Sequence, residues 1–362
     1  MSPWKQMHNE PLPEALPRSS SRSVHFSVLI FIFMVTILSN ANLAGPARAD
    51  SADEMSECAH IEDHAERLQC YDELVGYKKK EEVVTEPQAV DVASHKPEPL
   101  SYLSKLWDLD KESRREKYAI TTHRANYILP LTYVDSPNEE AIREASPDKE
   151  LKNAEIKLQL SFKVQLWEDI FNKNMDLWFG YTQLSFWQFY NFEDSSPFRE
   201  TNYEPELLLN FRTSYDLLGL KGRFINVGIN HQSNGRSEPL SRSWNRVVAN
   251  FGLERDNLAL ILNTWLRIPE SEDEDDNPDI EDYMGYGHVW LYYLWKDHRF
   301  GFMYRNNLHF DENRSTVQVE WSFPLIEHVS GYIQYFYGYG ESLLDYNARM
   351  SRIGLGFIVK DW

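Results

Sequence analysis

The sequence predicts an all-β chain: a twelve-stranded antiparallel transmembrane β-barrel with a small helical N-terminal appendage. Three observations lead there. Residues 117–360 divide into segments, many of ten or more residues, in which apolar and polar side chains alternate with period 2. Aromatic residues gather toward the ends of these segments, among them Trp178, Trp187, Tyr190, Trp290, Tyr292, Tyr293, Trp295, Tyr335, Tyr337 and Tyr339, as in the interfacial girdles of outer-membrane barrels. The chain also closes on a strand with Ile353, Leu355, Phe357 and Val359 on one face and an aromatic end at Trp362.

The elements follow in order. Lys5, Arg18 and Arg22 precede an apolar run from Val28 to Leu38, and Ala47-Arg48-Ala49 follows it. These are the three parts of a secretory signal peptide spanning residues 1–49, and the run is too short to cross a bilayer comfortably. The leader carries four cationic and two anionic side chains, so its removal takes the formal net charge from −19 to −21. So acidic a chain is a poor candidate for binding nucleic acid through phosphate neutralisation. The remaining residues, about 310, suffice for one large all-β domain.

Met55, Cys58, Ile61, Ala65, Leu68, Tyr71 and Leu74 are spaced as on an amphipathic helix, predicting a helical appendage over residues 50–77. Cys58 and Cys70 are the only cysteines. Along one straight helix twelve residues span about 18 Å, beyond disulfide reach, so pairing requires a turn between two short helices. Two reduced cysteines on one helix is the alternative. Lys, Glu and Pro dominate the next stretch, and residues 78–115 read as a linker. The barrel is assigned to residues 116–362.

Strands are expected at 117–134, 152–167, 175–191, 200–213, 223–233, 242–253, 258–268, 283–295, 299–307, 315–323, 329–338 and 349–360. The count is twelve, an even number as in a closed up-and-down barrel. In the second, Ile156, Leu158, Leu160, Phe162, Val164 and Leu166 alternate with Lys157, Gln159, Ser161, Lys163 and Gln165. In a membrane barrel the apolar set faces lipid and the polar set the lumen; in a soluble sandwich the apolar set points inward.

One strand differs. Ile225, Val227, Ile229, His231 and Ser233 alternate with Phe224, Asn226, Gly228, Asn230 and Gln232, so a histidine and a serine continue an apolar face. Beyond a turn at Glu238-Pro239, a second strand carries Asn245, Val247, Ala249 and Phe251 on one face, and antiparallel pairing brings Asn245 beside His231. Polar groups on an aliphatic face cost free energy unless they hydrogen-bond. A nucleophile, a base and an orienting amide together have the logic of a serine hydrolase triad, with Asn in the third place.

Longer blocks surround these residues: Tyr181-Thr182-Gln183 with Ser185, the run from Ser195-Ser196-Pro197-Phe198-Arg199 to Glu204-Pro205-Glu206, the run from Asn230 to Arg246, Asp276-Asn277-Pro278-Asp279-Ile280, and Gly338-Tyr339-Gly340-Glu341-Ser342. Together they resemble outer membrane phospholipase A, the calcium-dependent lipase of Gram-negative outer membranes. The resemblance covers about Tyr118 to Trp362. It implies a twelve-stranded barrel with its active site on the outer wall near the outer leaflet. It further implies hydrolysis of the sn-1 and sn-2 acyl esters of glycerophospholipids, and of lysophospholipids.

Residue by residue, the resemblance implies Ser233 as nucleophile, His231 as base, Asn245 as orienting amide and the Gly235 N–H as oxyanion donor. A neutral amide suits a lipid-facing wall, where a buried carboxylate would be costly. Implied calcium ligands are the Arg236 carbonyl, the Ser241 hydroxyl and Ser195 of the partner subunit, with a further position at Asp276; all are hard oxygen donors. A calcium-bridged homodimer with Gln183 at its contact is implied as well. Two departures stand out: Glu238 where the family often has Asp, and Gln232 in place of a more usual acidic residue. Both bear on calcium binding before catalysis. The rival readings are a passive channel or structural barrel with charged rings around an open lumen, and a soluble secreted esterase.

Overall fold

The computed structural model describes residues 58, 60–74, 100–143 and 145–360. The leader and most of the tether before residue 100 lie outside them. The chain divides into two compact units, Met1–Lys96 and Pro97–Trp362.

In the first unit, helix α1 (His64–Leu74) begins where the Asp63 carboxylate accepts hydrogen bonds from the N–H groups of Ala65 (2.8 Å) and Glu66 (3.1 Å), an N-terminal cap. Ahead of it the Ile61 N–H donates to the Cys58 carbonyl, closing a turn. That turn breaks the expected longer helix and folds Cys58 back, so that Cys58 and Cys70 are disulfide-bonded with Cα atoms 5.7 Å apart.

The second unit is the barrel. Its strands are β1 (Ile120–Thr122), β2 (Tyr127–Val134), β3 (Ala154–Trp167), β4 (Met175–Trp187), β5 (Phe198–Leu217), β6 (Leu220–Ser233), β7 (Ser243–Arg255), β8 (Leu258–Ile268), β9 (Gly287–Trp295), β10 (His298–Asn306), β11 (Ser315–Ile326), β12 (Val329–Gly338) and β13 (Met350–Val359). All neighbours are antiparallel; β13 pairs with β2 and β3 with β4, which closes the twelve strands β2 to β13 into a ring. The thirteenth, β1, is the start of the first expected strand. Both halves pair with β3, Thr122 opposite Phe162 and Tyr127 opposite Gln159. Across the break the Asn126 side chain replaces the ladder, accepting from the Ser161 N–H (2.7 Å) and donating to its carbonyl (2.9 Å).

Burial is inverted relative to a soluble protein. Leu160, Leu207, Ile229, Val247, Leu262, Phe302, Val319, Ile353 and Phe357 are exposed on the outside, while Glu155, Lys157, Arg199, Asn210, Asn226, Arg299 and Arg352 are buried within. Such a wall needs lipid, so the sandwich reading falls. Three of the expected girdle aromatics turn the other way: Trp178 is buried in the interior cluster, and Trp290 and Tyr292 line the luminal cavity.

The lumen is filled. Arg199 bridges Glu155 (3.0 Å) and Asp345 (2.8 Å), Arg352 bridges Glu155 (2.7 Å) and Glu341 (2.8 Å), and Lys157 reaches Glu341 (2.9 Å). A cavity of about 290 Å³ remains, lined by His123, Arg124, Glu204, Glu206 and Arg246 among others. Helix α2 (Tyr102–Trp107), capped by the Ser101 hydroxyl on the Ser104 N–H (3.1 Å), enters this interior. Its Leu103 and Trp107 pack with Trp178, Leu208 and Phe224. The barrel unit thus begins at Pro97, and the last part of the expected 78–115 linker folds with it because Leu103 and Trp107 gain an apolar site there.

The two rims differ. Turns 218–219, 256–257, 296–297 and 327–328 have two residues each, whereas the opposite rim carries the loops 135–153, 188–197, 234–242, 269–286, 307–314 and 339–349. Strand β6 delivers His231 and Ser233 to the long-loop rim, and helix α3 (Ile280–Met284) lies within the 269–286 loop.

Candidate active site

Strands β6 and β7 pair with His231 directly opposite Asn245 and Ser233 opposite Ser243. His231 Nδ1 and Asn245 Oδ1 lie 2.8 Å apart. His231 is exposed on the outer wall, and Ser233 and Asn245 are half-buried beside it. The Ser233 hydroxyl has no hydrogen bond to another described residue, which leaves it and His231 Nε2 open to a substrate. On the other side the ladder lapses between Tyr203↔Ser233 and Glu206↔Asn230. Pro205, which has no N–H to give, occupies that gap beside His231.

The 234–242 loop is built around Asn234. Its N–H donates to the Arg242 carbonyl (3.0 Å), its amide nitrogen to the Leu240 carbonyl (2.7 Å), and its amide oxygen accepts from the N–H groups of Arg236 (3.2 Å) and Arg242 (3.1 Å). The loop turns through a cis Glu238-Pro239 peptide. Gly235 sits at φ +63°, where a Cβ would stand 3.2 Å from the Tyr203 ring, so this tight approach calls for glycine. The Arg236 guanidinium donates to the Arg199 carbonyl (2.6 Å) and ties the loop to the start of β5.

A second loop docks on the first. Asn277, fully buried, accepts from the Ser243 N–H at 3.0 Å. Its neighbour Asp276 thereby reaches Ser241, whose hydroxyl donates to the carboxylate at 2.5 Å. From the start of the same loop, Glu270 Oε1 accepts from the Asn245 amide nitrogen at 2.8 Å. Arg267 compensates these acids, at 3.6 Å from Glu270 and hydrogen-bonded to Asp275. Burial raises the Glu281 carboxyl above the usual carboxylate range despite Arg267 nearby.

The remaining expected positions stand apart from this cluster. Ser195 is exposed at a left-handed turn (φ 59°) in the 188–197 loop. Gln183, outward on β4, accepts from the Tyr181 hydroxyl (3.2 Å) and donates to the Ser185 hydroxyl (3.3 Å). Gln232 faces inward, where its oxygen accepts from the Trp244 indole at 2.8 Å.

Comparison with known proteins decides what kind of chain this is. The family described as Phospholipase A1 matches residues 103–359. The chain belongs to the phospholipase A1 family. It is 36% identical over 355 residues to a putative phospholipase A1 of Neisseria meningitidis serogroup B, covering 84% of this chain and 90% of that protein. It is 38% identical over 244 residues to phospholipase A1 of Escherichia coli K12, covering 67% and 82% respectively.

Among solved structures, the calcium-bound dimer of the Salmonella typhi outer membrane phospholipase superposes with a TM-score of 0.64 at 37% identity, covering 68% of this chain and 95% of that one. An Escherichia coli outer membrane phospholipase A altered from asparagine to alanine in its active site gives a TM-score of 0.64 at 36% identity, covering 68% and 95%. As a phospholipase A1 family member, this chain is a carboxylic ester hydrolase on an outer-membrane barrel fold.

Sequence reasoning on this phospholipase missed three of the residues that build the site. Asn234 carried a signal, an amide at a strand end before a long polar loop. Asn277 carried a weaker one. Glu270 carried none, because it lies in an acidic run that reads as solvated loop.

Proposed function

We propose that this chain is a calcium-dependent phospholipase A of a Gram-negative outer membrane, hydrolysing the sn-1 and sn-2 acyl esters of glycerophospholipids, and lysophospholipids, through Ser233, His231 and Asn245. The observation that carries the reading is the 2.8 Å contact between His231 and Asn245 on an otherwise apolar outer wall, with Ser233 two residues on. The active-site asparagine in the name of the similar Escherichia coli structure supports the same assignment for Asn245.

In this reading Asn245 Oδ1 accepts from His231 Nδ1–H, which leaves Nε2 free to accept the Ser233 proton. Ser233 Oγ attacks the ester carbonyl, and His231 returns the proton to the departing alcohol. The acyl group remains on Ser233 until water, deprotonated by His231, releases it. Gly235 offers its N–H to the oxyanion. His231 and Ser233 open outward rather than into the lumen, so substrate arrives laterally from lipid. Long loops mark the extracellular rim of such barrels, which supports a site at the outer leaflet.

The donors proposed for calcium are the Arg236 carbonyl, the Ser241 hydroxyl, the partner subunit's Ser195 and Asp276. The Ser241 hydroxyl and the Asp276 carboxylate already stand together at 2.5 Å, and a set of carbonyl, hydroxyl and carboxylate oxygens is of the hard-donor kind that calcium takes. Bound there, calcium would supply Lewis acidity and polarise water in support of the oxyanion. Arg236, with its guanidinium turned toward β5, keeps its carbonyl in the loop that carries Gly235.

Gln183 on the outer face of β4 is the proposed contact of a homodimer, and so acidic a chain is a poor candidate for nucleic acid. Residues 1–49 are proposed as the cleaved leader. The rival reading, a passive barrel, is disfavoured by the filled lumen. The deciding experiment measures fatty-acid release from phospholipid in detergent micelles by the purified protein, with calcium and with chelator, beside Ser233→Ala. Calcium-dependent release that falls about a thousandfold or more in the variant is expected. Release that survives Ser233→Ala overturns the mechanism.

A further inference from the structure

The Asn245 amide is held from both ends. Its oxygen meets His231 Nδ1 at 2.8 Å and its nitrogen meets Glu270 Oε1 at 2.8 Å. Asn245 pairs across the ladder with Ile268, the last residue of β8, and Glu270 lies two residues beyond it, at the start of the 269–286 loop. The start of the 269–286 loop therefore brings a carboxylate to the back of the amide.

An amide alone has no fixed direction. Rotated by 180°, Asn245 would present N–H to His231 Nδ1, the imidazole would have to accept there, and its proton would move to Nε2, where Ser233 needs an acceptor. A carboxylate only accepts, so it selects one of the two amide orientations. Glu270 is mostly buried, with its side chain 17% exposed, and its second oxygen Oε2 is buried with no hydrogen-bond partner among the described residues, 3.6 Å from Arg267. Arg267 in turn donates to the Asn277 carbonyl at 3.2 Å, so the acid stands on the same docked loop that places Asp276.

We propose that Glu270 is a positioning residue for catalysis: it fixes the Asn245 amide, and through it the productive tautomer of His231. The inference rests on the Ser233–His231–Asn245 reading. Glu270 touches neither substrate nor the reacting atoms. Its charge is set behind a neutral amide and so stays away from the lipid-facing surface, while its acceptor strength still reaches the imidazole.

The test is steady-state hydrolysis of a phospholipid by the purified protein in detergent micelles, across a calcium titration up to saturation, for wild type, Glu270→Ala, Glu270→Gln, Asn245→Ala and the Glu270→Ala/Asn245→Ala pair. Ser233→Ala serves as control. Glu270→Ala is expected to lower kcat about tenfold with KM and calcium half-saturation unchanged, the loss of one hydrogen bond acting on the chemical step. Glu270→Gln, whose amide oxygen still accepts from Asn245, recovers a larger share of kcat than Glu270→Ala. The double variant is no slower than Asn245→Ala alone, because both act through one contact.

A merely structural Glu270 gives different results: a raised calcium requirement or KM, no recovery in Glu270→Gln, and additive losses. Any of these overturns the inference, as does wild-type kcat in Glu270→Ala. If Ser233→Ala itself remains active, the triad reading has failed instead. Should Glu270→Ala fold poorly, Glu270→Leu, which fills the site but cannot accept from Asn245, is set against Glu270→Gln and wild type by the tautomer-sensitive nitrogen shifts of His231. A change in tautomer population only in variants that lose the acceptor supports the role, and no change in any of them refutes it.

Discussion

The amide oxygen of Asn245 lies 2.8 Å from His231 Nδ1, between residues directly opposed on β6 and β7. Because the same amide gives its N–H to Glu270, an aspartate at 245 would set two carboxylates within hydrogen-bond distance. One of them must then take up a proton or turn away. Asn245→Asp, which elsewhere would only rebuild a Ser-His-Asp triad, is therefore expected to lose about tenfold or more in kcat. Asn245→Asp with Glu270→Gln should recover part of it. Full activity of Asn245→Asp alone would show that the Glu270 contact has no hold on the amide.

The pair was half legible in advance. Period-2 alternation put His231 and Ser233 on one face, and the turn between the strands put Asn245 beside them. Glu270 was not legible, because its approach depends on how an eighteen-residue loop, 269–286, folds back on β7, and no local pattern encodes that. All twelve strands are legible, since an alternation locked to a lipid-facing wall fixes register, but their ends are not: the first breaks between Thr122 and Tyr127, and 283–284 belong to α3, with β9 starting only at Gly287.

What alternation does not say is that a barrel interior can hold an apolar cluster of its own. By alternation alone Trp178, Trp290 and Tyr292 therefore read as girdle residues, and Leu103 and Trp107 as part of a tether. Their apolar spacing of four along α2 was the available signal. The link between Cys58 and Cys70 turned on a cap at Asp63, which composition alone could not rank against a continuous helix.

Ser241 and Asp276 come from different loops and meet at 2.5 Å. If Asp276 helps hold calcium, Asp276→Asn removes the formal charge while keeping the shape. The calcium concentration for half-maximal fatty-acid release should rise about tenfold, equivalent to about 1.4 kcal/mol of binding. Titrating calcium into chelator-stripped protein measures it, and raising calcium should recover most of the lost rate. An unchanged half-saturation would exclude Asp276 from the ion.

Glu155 is wholly buried and pairs with both Arg199 (3.0 Å) and Arg352 (2.7 Å). Glu155→Gln leaves two guanidinium groups facing each other inside the lumen with their shared counter-charge removed. Breaking a buried pair in this way costs about 3–5 kcal/mol. The temperature at which the folded, fast-migrating species is lost on heating in detergent should fall clearly. Unchanged heat resistance would mean that Asp345 and Glu341 suffice to neutralise both arginines.

Trp107 tests whether α2 is a plug or a passenger. Its ring packs edge-on to Trp178 (5.8 Å) and beside Phe224 (5.5 Å), and Lys163 Nζ stands 4.6 Å over its face. Truncation to alanine removes an indole from a site only 4% exposed and leaves Lys163 above a void, a loss of about 3–5 kcal/mol. Trp178 and Phe224 lie toward the short-turn ends of β4 and β6, whereas His231 lies near the other end of β6. Trp107→Ala should therefore lower the urea midpoint of the barrel while the protein that remains folded keeps its kcat. Equal loss of both would tie α2 to the active-site rim, and loss of neither would make the helix dispensable.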